Sequence, residues 1–287
     1  MTVRRYLQLD VFADRPGAGN ALAVVLDAEG LDDVAMQSFA RWTNLAETIF
    51  LLPPGPAANY RVRISTPSEE LPFAGHPSVG AAWAVLEAGI ANARDGRLVQ
   101  ECAAGNLPVS IEQVQGCRFV RVRTPPARCI GSVPCATERL DQALAQADRG
   151  ALPPSLWNNG PRWWLSELVD ERAVRSFQPD LAAIAALPEG GNLAVFAVCK
   201  QVDYQLVLRA FTPTHGIAED PVTGSANACV GTLLHAAGRL PGQEGRFIAS
   251  QGRELGRDGR VEVWVDAEEA VWIGGRVQAV IRGSVDW

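Results

Sequence analysis

The chain has 287 residues, of which 47% are hydrophobic and 20% charged, a composition typical of a globular protein with a sizeable core. This length favours two halves of about 100–150 residues each. The net charge of −6 and the lack of a basic stripe disfavour binding to nucleic acid. No signal peptide or apolar run of membrane-spanning length is visible, so we expect a cytoplasmic protein that does not act in a membrane.

In chain order, the first half alternates short strands with two helices. Asp32 or Asp33 is expected to cap a helix that runs to about Trp42. Residues Ser78 to Glu87 almost lack charge, and this predicts a helix buried on every side. The predicted strands are Tyr6–Phe12 and Ala21–Leu26, joined by a tight turn at Gly17–Asn20, followed by Thr48–Leu52 and Tyr60–Ser65.

The second half contains a matching apolar helix, Ala226–Ala237, and two predicted outer helices, Asp141–Ala147 and Glu171–Leu187. A last strand near Gln278–Ile281 is expected to return to the first half. Two buried helices among short strands predict an α+β fold in which each sheet curls around a central helix. The predicted strands of this half are Phe119–Arg123, Arg162–Leu165, Asn192–Cys199, Tyr204–Phe211, Val261–Val265 and Val271–Ile273.

A motif occurs twice in the chain. Residues Arg63–Pro67 precede Glu70–Pro77, and residues Arg209–Pro213 precede Glu219–Ala226. Each copy reads as a strand, a Thr-Pro break, an acidic residue, a Pro-containing turn and a Gly that opens an apolar helix. The repeat predicts two similar domains that face each other across a cleft. We place the first at residues 1–116 with the C-terminal strand 277–287, and the second at residues 117–276.

The start of each apolar helix has chemistry suited to an anion. The first N–H groups of a helix have no partner within it and carry partial positive charge, so they bind carboxylates well. Gly75 and Gly224 let the backbone approach a ligand closely. The same turns hold His76 and Asp220. They therefore predict a site for a small anionic molecule, although capping alone is the competing interpretation.

Several cofactor and metal chemistries are disfavoured by composition. The six cysteines (102, 117, 129, 135, 199 and 229) form no Cys-x-x-Cys pair, and only three histidines are present, so a zinc site is not expected. We expect most of these cysteines to be reduced, part-buried packing residues. Lys200 is the only lysine, which argues against a Walker phosphate loop and a Schiff-base cofactor. We therefore predict an enzyme without cofactor or metal.

Five segments resemble the PhzF family of phenazine-biosynthesis-like isomerases, which has the diaminopimelate epimerase-like fold. The resemblance extends over nearly the whole chain, and its most specific strings are Glu70–Pro77 and Asp220–Ser225. The segments are Asp10–Asp27, Asn44–Thr48, Glu70–Pro77, Glu219–Ala226, and Gln251-Gly252 with Gly256–Gly259.

The resemblance implies two pseudo-symmetric halves, each a β-barrel-like sheet around one buried helix, with the active site between them and a homodimer as the assembly. It implies that Glu47 is the catalytic glutamate, that His76 and Asp220 assist it, and that the backbone at Gly75, Gly224 and Ser225 binds substrate. One departure is Ala46, where the family commonly has Ser, so a hydroxyl contact to the substrate is expected to be missing.

The residues around Glu47 agree with this role. Its neighbours Leu45, Ile49 and Phe50 are apolar, and burial raises the pKa of a carboxyl group so that it can take and return a proton. The preferred interpretation is a cofactor-independent isomerase that acts on a small carboxylate. An amino-acid racemase of this fold would need cysteines where Ala74 and Thr223 stand. A metabolite-binding protein without catalysis remains the third interpretation.

Overall fold

The computed structural model describes residues 2–132 and 137–287, and the chain divides into two compact units. Unit 1 comprises Met1–Pro125 and Ile273–Trp287, and unit 2 comprises Pro126–Trp272. The first boundary therefore lies at Pro125 rather than at residue 116. The strand that begins at Cys117 pairs with the strand before it, which keeps this segment in unit 1. Residues 273–276 likewise belong to unit 1 rather than to the second half.

Within residues 2–125 and 273–287, unit 1 is built mostly of strands, with two α-helices. The helices are α1 (Asp33–Thr43) and α2 (Gly75–Glu87). The strands are β1 (Val3–Val11), β2 (Asn20–Val25), β3 (Glu47–Leu52), β4 (Tyr60–Ser65), β5 (Glu70–Leu71), β6 (Arg97–Cys102), β7 (Gly105–Val114) and β8 (Cys117–Arg123).

The apolar helix of unit 1, α2, is its central element. Every residue from Gly75 to Val85 is buried, as the near absence of charge predicted. The helix packs against β1, β2, β3, β4, β6 and β8. Gly80 allows this close packing, because a Cβ there would lie 2.3 Å from Leu22 Cδ2 and 3.1 Å from Val11 Cγ2. The strands of unit 1 therefore surround one buried helix.

Unit 2 is also rich in strands, and it has four α-helices within residues 137–272. These are α3 (Thr137–Ala143), α4 (Glu171–Ser176), α5 (Leu181–Ala185) and α6 (Gly224–Ala236). The strands are β9 (Arg128–Ser132), β10 (Ser155–Asn158), β11 (Arg162–Glu167), β12 (Leu193–Val198), β13 (Leu206–Thr212), β14 (Ile217–Asp220), β15 (Arg246–Gln251) and β16 (Gly259–Val265). The apolar helix α6 is buried from Gly224 to Gly231 and packs against β11 and β16.

The two predicted outer helices were wrong in extent. The first begins at Thr137 and ends at Ala143, four residues earlier than expected at each end. The second is two short helices, α4 and α5, because Pro179 interrupts the helical backbone. A proline disfavours helical backbone in the residue before it, here Gln178, and α4 has already ended at its C-cap Phe177, whose ψ is 126°. Asp180 then starts α5 by accepting a hydrogen bond from the Ala183 backbone N–H.

The duplicated motif has the same strand pairing in each unit. In unit 1, β4 pairs antiparallel with β5 and parallel with β6, which pairs antiparallel with β7. In unit 2, β13, β14, β15 and β16 repeat this order and these directions. The Arg and the Glu of each motif form an ion pair, Arg63 with Glu70 at 2.5 Å and Arg209 with Glu219 at 2.8 Å. The repeated sequence thus encodes a repeated supersecondary unit.

The last strand, β17 (Val271–Asp286), pairs antiparallel with β1 from Val3 opposite Asp286 to Val11 opposite Val277. The C-terminal residue is held in unit 1 as well. The Trp287 ring lies 5.0 Å from the Phe39 ring, and its indole N–H donates to the Ala35 carbonyl oxygen. Among the described residues, no helix is both long and apolar enough to cross a membrane.

The cysteines follow the expectation only in part. Cys102 and Cys229 are buried and Cys199 is half-buried, whereas Cys117 and Cys129 are exposed and do not pack in a core. Cys117 is exposed because it starts β8 directly after the β7–β8 turn. These five thiols are all free; Cys135 lies outside the described residues.

Candidate active site

Glu47 is placed by the way α1 connects to β3. Helix α1 ends at Thr43, and the left-handed backbone of the C-cap residue Asn44 (φ 53°) turns the chain. After Leu45 and Ala46, Glu47 becomes the first residue of β3, opposite Leu22 of the parallel strand β2. Its side chain is 16% exposed, so it is neither a surface charge nor wholly sealed from solvent.

His76 meets Glu47 although the two residues are distant in sequence. His76 is the second residue of α2, and its side chain is 4% exposed. Its Nε2 atom lies 3.3 Å from Oε2 of Glu47. Burial lowers the pKa of His76 to about 3, because the charged imidazolium would lose its hydration. The pair therefore consists of a carboxyl group beside a neutral imidazole at neutral pH.

The other nitrogen of this imidazole contacts a residue that sequence analysis assigned only to a turn. Nδ1 of His76 lies 3.3 Å from Nδ2 of Asn20, the first residue of β2. Asn20 is buried. The signal available in the sequence was its place in the Asp10–Asp27 segment, which carried the family resemblance without a role for any single side chain.

The N-terminus of α2 presents backbone donors next to His76. Ala74 occupies the N-cap position with extended backbone and makes no side-chain hydrogen bond to the helix. Pro77 at the third position has no N–H at all. The N–H groups of Gly75 and His76 therefore remain as the donors of the first turn, at the positive end of the helix dipole.

In unit 2, Asp220 belongs to a hydrogen-bond network at the start of α6. Its Oδ2 accepts from the Thr223 hydroxyl at 2.6 Å. The buried Gln251 accepts from the Thr223 backbone N–H and donates to the Thr223 hydroxyl, both at 2.9 Å. Thr223 occupies the N-cap position of α6, but its hydroxyl is used by Asp220 and Gln251 and makes no hydrogen bond to the helix. The backbone N–H groups of the first turn of α6, which starts at Gly224, therefore donate no capping hydrogen bond to the Thr223 side chain and remain as donors.

Ser225, the second residue of α6, is held by two buried side chains that sequence analysis did not single out. Its Oγ accepts from the Trp163 indole N–H at 3.1 Å, and its carbonyl oxygen accepts from Asn159 Nδ2 at 3.0 Å. Trp163 lay within a predicted strand, but nothing in the local sequence connected it with α6.

The structure brings Glu47 and His76 together, with Gly75 beside His76 in the chain. Asp220, Gly224 and Ser225 all lie in unit 2, around the start of α6. The grouping of Glu47 with His76 is therefore a contact within unit 1. The part played by Asp220 stays a prediction.

The lowered pKa of His76 predicts a loss of stability in acid. Below about pH 6.5 the unfolded chain takes up a proton at this histidine and the folded chain does not, until the pH nears 3. The free energy of unfolding should therefore fall by about 1.4 kcal/mol per pH unit over this window from His76 alone. Urea unfolding between about pH 7 and pH 4.5 should show a shallower decline for His76→Gln, by about 3 kcal/mol over the range.

The exposed His215 supplies the control for this acid effect. His215→Gln removes an exposed histidine and should keep the wild-type slope. Equal slopes for His76→Gln and the wild type would contradict the lowered pKa.

Comparison with known proteins gives one consistent family. The family model described as "Phenazine biosynthesis-like protein" matches residues 9–283. Antisense-enhancing sequence 1 of Schizosaccharomyces pombe is 30% identical over 296 residues, covering 99% of each chain. The trans-2,3-dihydro-3-hydroxyanthranilate isomerase of Pseudomonas aeruginosa is 33% identical over 279 residues, covering 97% of this chain and 94% of its own.

Solved structures agree with this assignment and with the predicted fold. A PhzF-family phenazine biosynthesis protein from Bacillus anthracis has a TM-score of 0.85 and 25% identity, with each chain wholly covered. A hydroxyproline epimerase from Agrobacterium vitis has a TM-score of 0.65 and 16% identity, covering 99% of this chain and 92% of its own, which is a likeness of fold alone. The predicted epimerase-like α+β fold is confirmed.

Proposed function

We propose that Glu47 carries the proton in the reaction of this chain, which belongs to the phenazine biosynthesis-like (PhzF) family and is an isomerase. The observation that supports this role is the contact of 3.3 Å between Glu47 Oε2 and His76 Nε2, at a place where Glu47 is only slightly exposed. A carboxylate in this position can accept a proton from a substrate carbon, and its 16% exposure lets the resulting acid exchange that proton with solvent.

The proton transfer needs no further reactant. The Glu47 carboxylate takes a proton from an allylic carbon, and the C–H electron pair enters the adjacent conjugated system. The carboxylic acid then returns the proton to another carbon of that system, which moves the double bond and restores the carboxylate. One residue is acid and base in turn, and the substrate and product have the same composition.

The substrate that we propose is a small cyclic carboxylate. Its anionic group would accept hydrogen bonds from the N–H groups of Gly75 and His76 at the start of α2, where the helix dipole favours negative charge. The start of α6 at Gly224 and Ser225 offers the same chemistry in unit 2. Asp220 is proposed to assist in handling the substrate's proton or amine.

The two alternative functions have less support. A two-thiol racemase is disfavoured because Ala74 and Thr223 occupy the N-cap positions of α2 and α6, and neither carries a thiol. A binding protein without catalysis would be favoured by a fully exposed Glu47, but this side chain is largely buried against His76.

The test of the proposed function is proton exchange with solvent. Trans-2,3-dihydro-3-hydroxyanthranilate, named for the Pseudomonas aeruginosa relative, is the first candidate substrate, followed by other small cyclic carboxylates. Turnover in deuterium oxide should yield an isomer with deuterium at the carbon that receives the proton. If no such compound binds or exchanges, the proposal fails.

We also propose that the chain forms a homodimer. Large apolar side chains exposed in unit 1 support this proposal, notably Val34 and Trp42 on α1 and Val280 and Ile281 on β17. Light scattering during gel filtration should give twice the chain mass of 30.7 kDa. A mass of one chain at micromolar concentration would contradict it.

A further inference from the structure

We propose that Asn20 is a positioning residue that holds His76 in the tautomer with its proton on Nε2, the ring nitrogen that lies 3.3 Å from Glu47 Oε2. The inference rests on the proposed role of the Glu47–His76 pair and adds a third residue that does not itself touch the reacting atoms. Asn20 contacts the side of the imidazole ring opposite Glu47.

The backbone at Asn20 is fixed by strand pairing and by the contacts of the preceding residue. Asn20 lies opposite Val11 in the antiparallel β1–β2 pair. The preceding residue, Gly19, packs so closely on β1 that a Cβ would lie 2.1 Å from the Val11 carbonyl oxygen. The Gly19 backbone N–H also donates to the buried Asp10 carboxylate at 3.1 Å. The strand pairing and the contacts of Gly19 therefore fix the position of the Asn20 backbone, from which the side chain reaches His76 of α2.

The amide nitrogen of Asn20 determines where the imidazole proton resides. An amide NH₂ group only donates, so Nδ1 of His76 must accept from it. A neutral imidazole carries one N–H, which therefore belongs to Nε2, the atom 3.3 Å from Glu47. Burial keeps the ring neutral, because it lowers the pKa of His76 to about 3. Asn20 thus selects one of the two neutral tautomers.

This tautomer is the one that suits a catalytic base. An Nε2–H close to Glu47 presents partial positive charge to the carboxylate and therefore favours its ionised form. The other tautomer would bring a lone pair close to the carboxylate oxygen and would favour a protonated Glu47. A protonated Glu47 is unable to accept a proton from substrate. Asn20 therefore acts on Glu47 through His76.

Nitrogen NMR of the whole protein tests the tautomer directly, without substrate. The chain has only three histidines, so ¹⁵N-histidine labelling gives three ring systems. The signals of His76 are those that disappear in His76→Gln. We expect a protonated Nε2 and an unprotonated Nδ1 in the wild type at neutral pH. A protonated Nδ1, or a ring protonated on both nitrogens, overturns the proposal.

Asn20→Asp tests whether Asn20 is the cause. The new carboxylate can only accept when ionised, so it should place a proton on Nδ1 of His76. We expect this change in the spectrum together with a kcat about 10- to 100-fold lower and a nearly unchanged KM, by analogy with the loss of the outer partner of a metal-bound histidine. A wild-type His76 spectrum in this variant overturns the proposal.

The matched control is Asn192→Asp. Asn192 is also a buried asparagine that donates through Nδ2, in this case to the Arg162 carbonyl oxygen in unit 2. The Asn192→Asp variant should be less stable than the wild type, but its His76 signals should be unchanged. If Asn20→Asp does not fold, Asn20→Ala replaces it: a mixture of the two tautomers supports the proposal, and an unchanged single tautomer overturns it.

The outcome is separable from that of the proposed function. The NMR result stands whether or not a substrate has been found. If Glu47→Gln still exchanges substrate protons but the Nε2–H tautomer depends on Asn20, the catalytic role fails and the tautomer assignment survives. If Glu47→Gln is inactive and the tautomer is the opposite one, only the role of Asn20 fails.

Discussion

Glu47→Gln should abolish turnover while leaving ligand binding nearly intact. Glutamine keeps the shape of the side chain and its contact with Nε2 of His76, but it has no titrating proton to take or return. General acid–base catalysis typically contributes about 10²- to 10⁴-fold, so kcat and deuterium incorporation should fall by at least this factor. Product formation and exchange in deuterium oxide measure the loss, and calorimetry measures binding.

Glu87→Gln is the matched control for this variant. Glu87 ends α2, about 18 Å along the helix from its start at Gly75, and it pairs with Arg118 and Arg282. The Glu87→Gln variant should retain the wild-type rate of turnover. Normal substrate exchange by Glu47→Gln would sink the catalytic assignment and put the binding-protein interpretation first.

The elements that the sequence predicted well are those with a strong local signal. Helix α1 begins after Asp32 because its carboxylate accepts from the Ala35 N–H, and β4 has the predicted bounds Tyr60–Ser65. The uncharged stretch that became α2 predicted burial, although the helix starts three residues earlier, at Gly75. Local chemistry was sufficient for each of these.

The elements that were missed depend on partners elsewhere in the chain. The β6–β7 hairpin, Arg97–Cys102 with Gly105–Val114, is partly exposed and has too many polar residues for a clear alternation. Its order comes from pairing with β4 and β8. The division at Pro125 likewise follows from strand pairing that no composition change marks.

Sequence analysis could predict those site residues that lie within the motifs shared with the family, but not the side chains that contact them from elsewhere in the chain. Glu47 and His76 were identified from their motifs, and their contact shows that these motifs meet. Asn20 was assigned to a turn because its side-chain partner lies 56 residues further along the chain. Asn159 and Trp163 were missed for the same reason, since each is 60 or more residues from Ser225.

The largest stability effect is expected at the buried copy of the repeated ion pair. Arg209 and Glu219 form two hydrogen bonds, at 2.9 and 2.8 Å, and their side chains are 7% and 8% exposed. Arg209 also donates to the Phe177 carbonyl oxygen at 2.6 Å. Glu219→Gln removes the counter-charge and leaves a buried guanidinium, which typically costs about 3–5 kcal/mol. Urea unfolding at neutral pH measures this loss.

The first copy of the motif provides the matched control within the same chain. Arg63 and Glu70 form the same pair, but their side chains are 21% and 37% exposed, so water replaces much of what Glu70→Gln removes. This variant should cost only about 0.2–1 kcal/mol. The double change Arg209→Met with Glu219→Leu should recover much of the loss, because it leaves no buried charge unpaired. If Glu219→Gln and Glu70→Gln lower the free energy of unfolding equally, burial does not make the second ion pair more important for stability than the first.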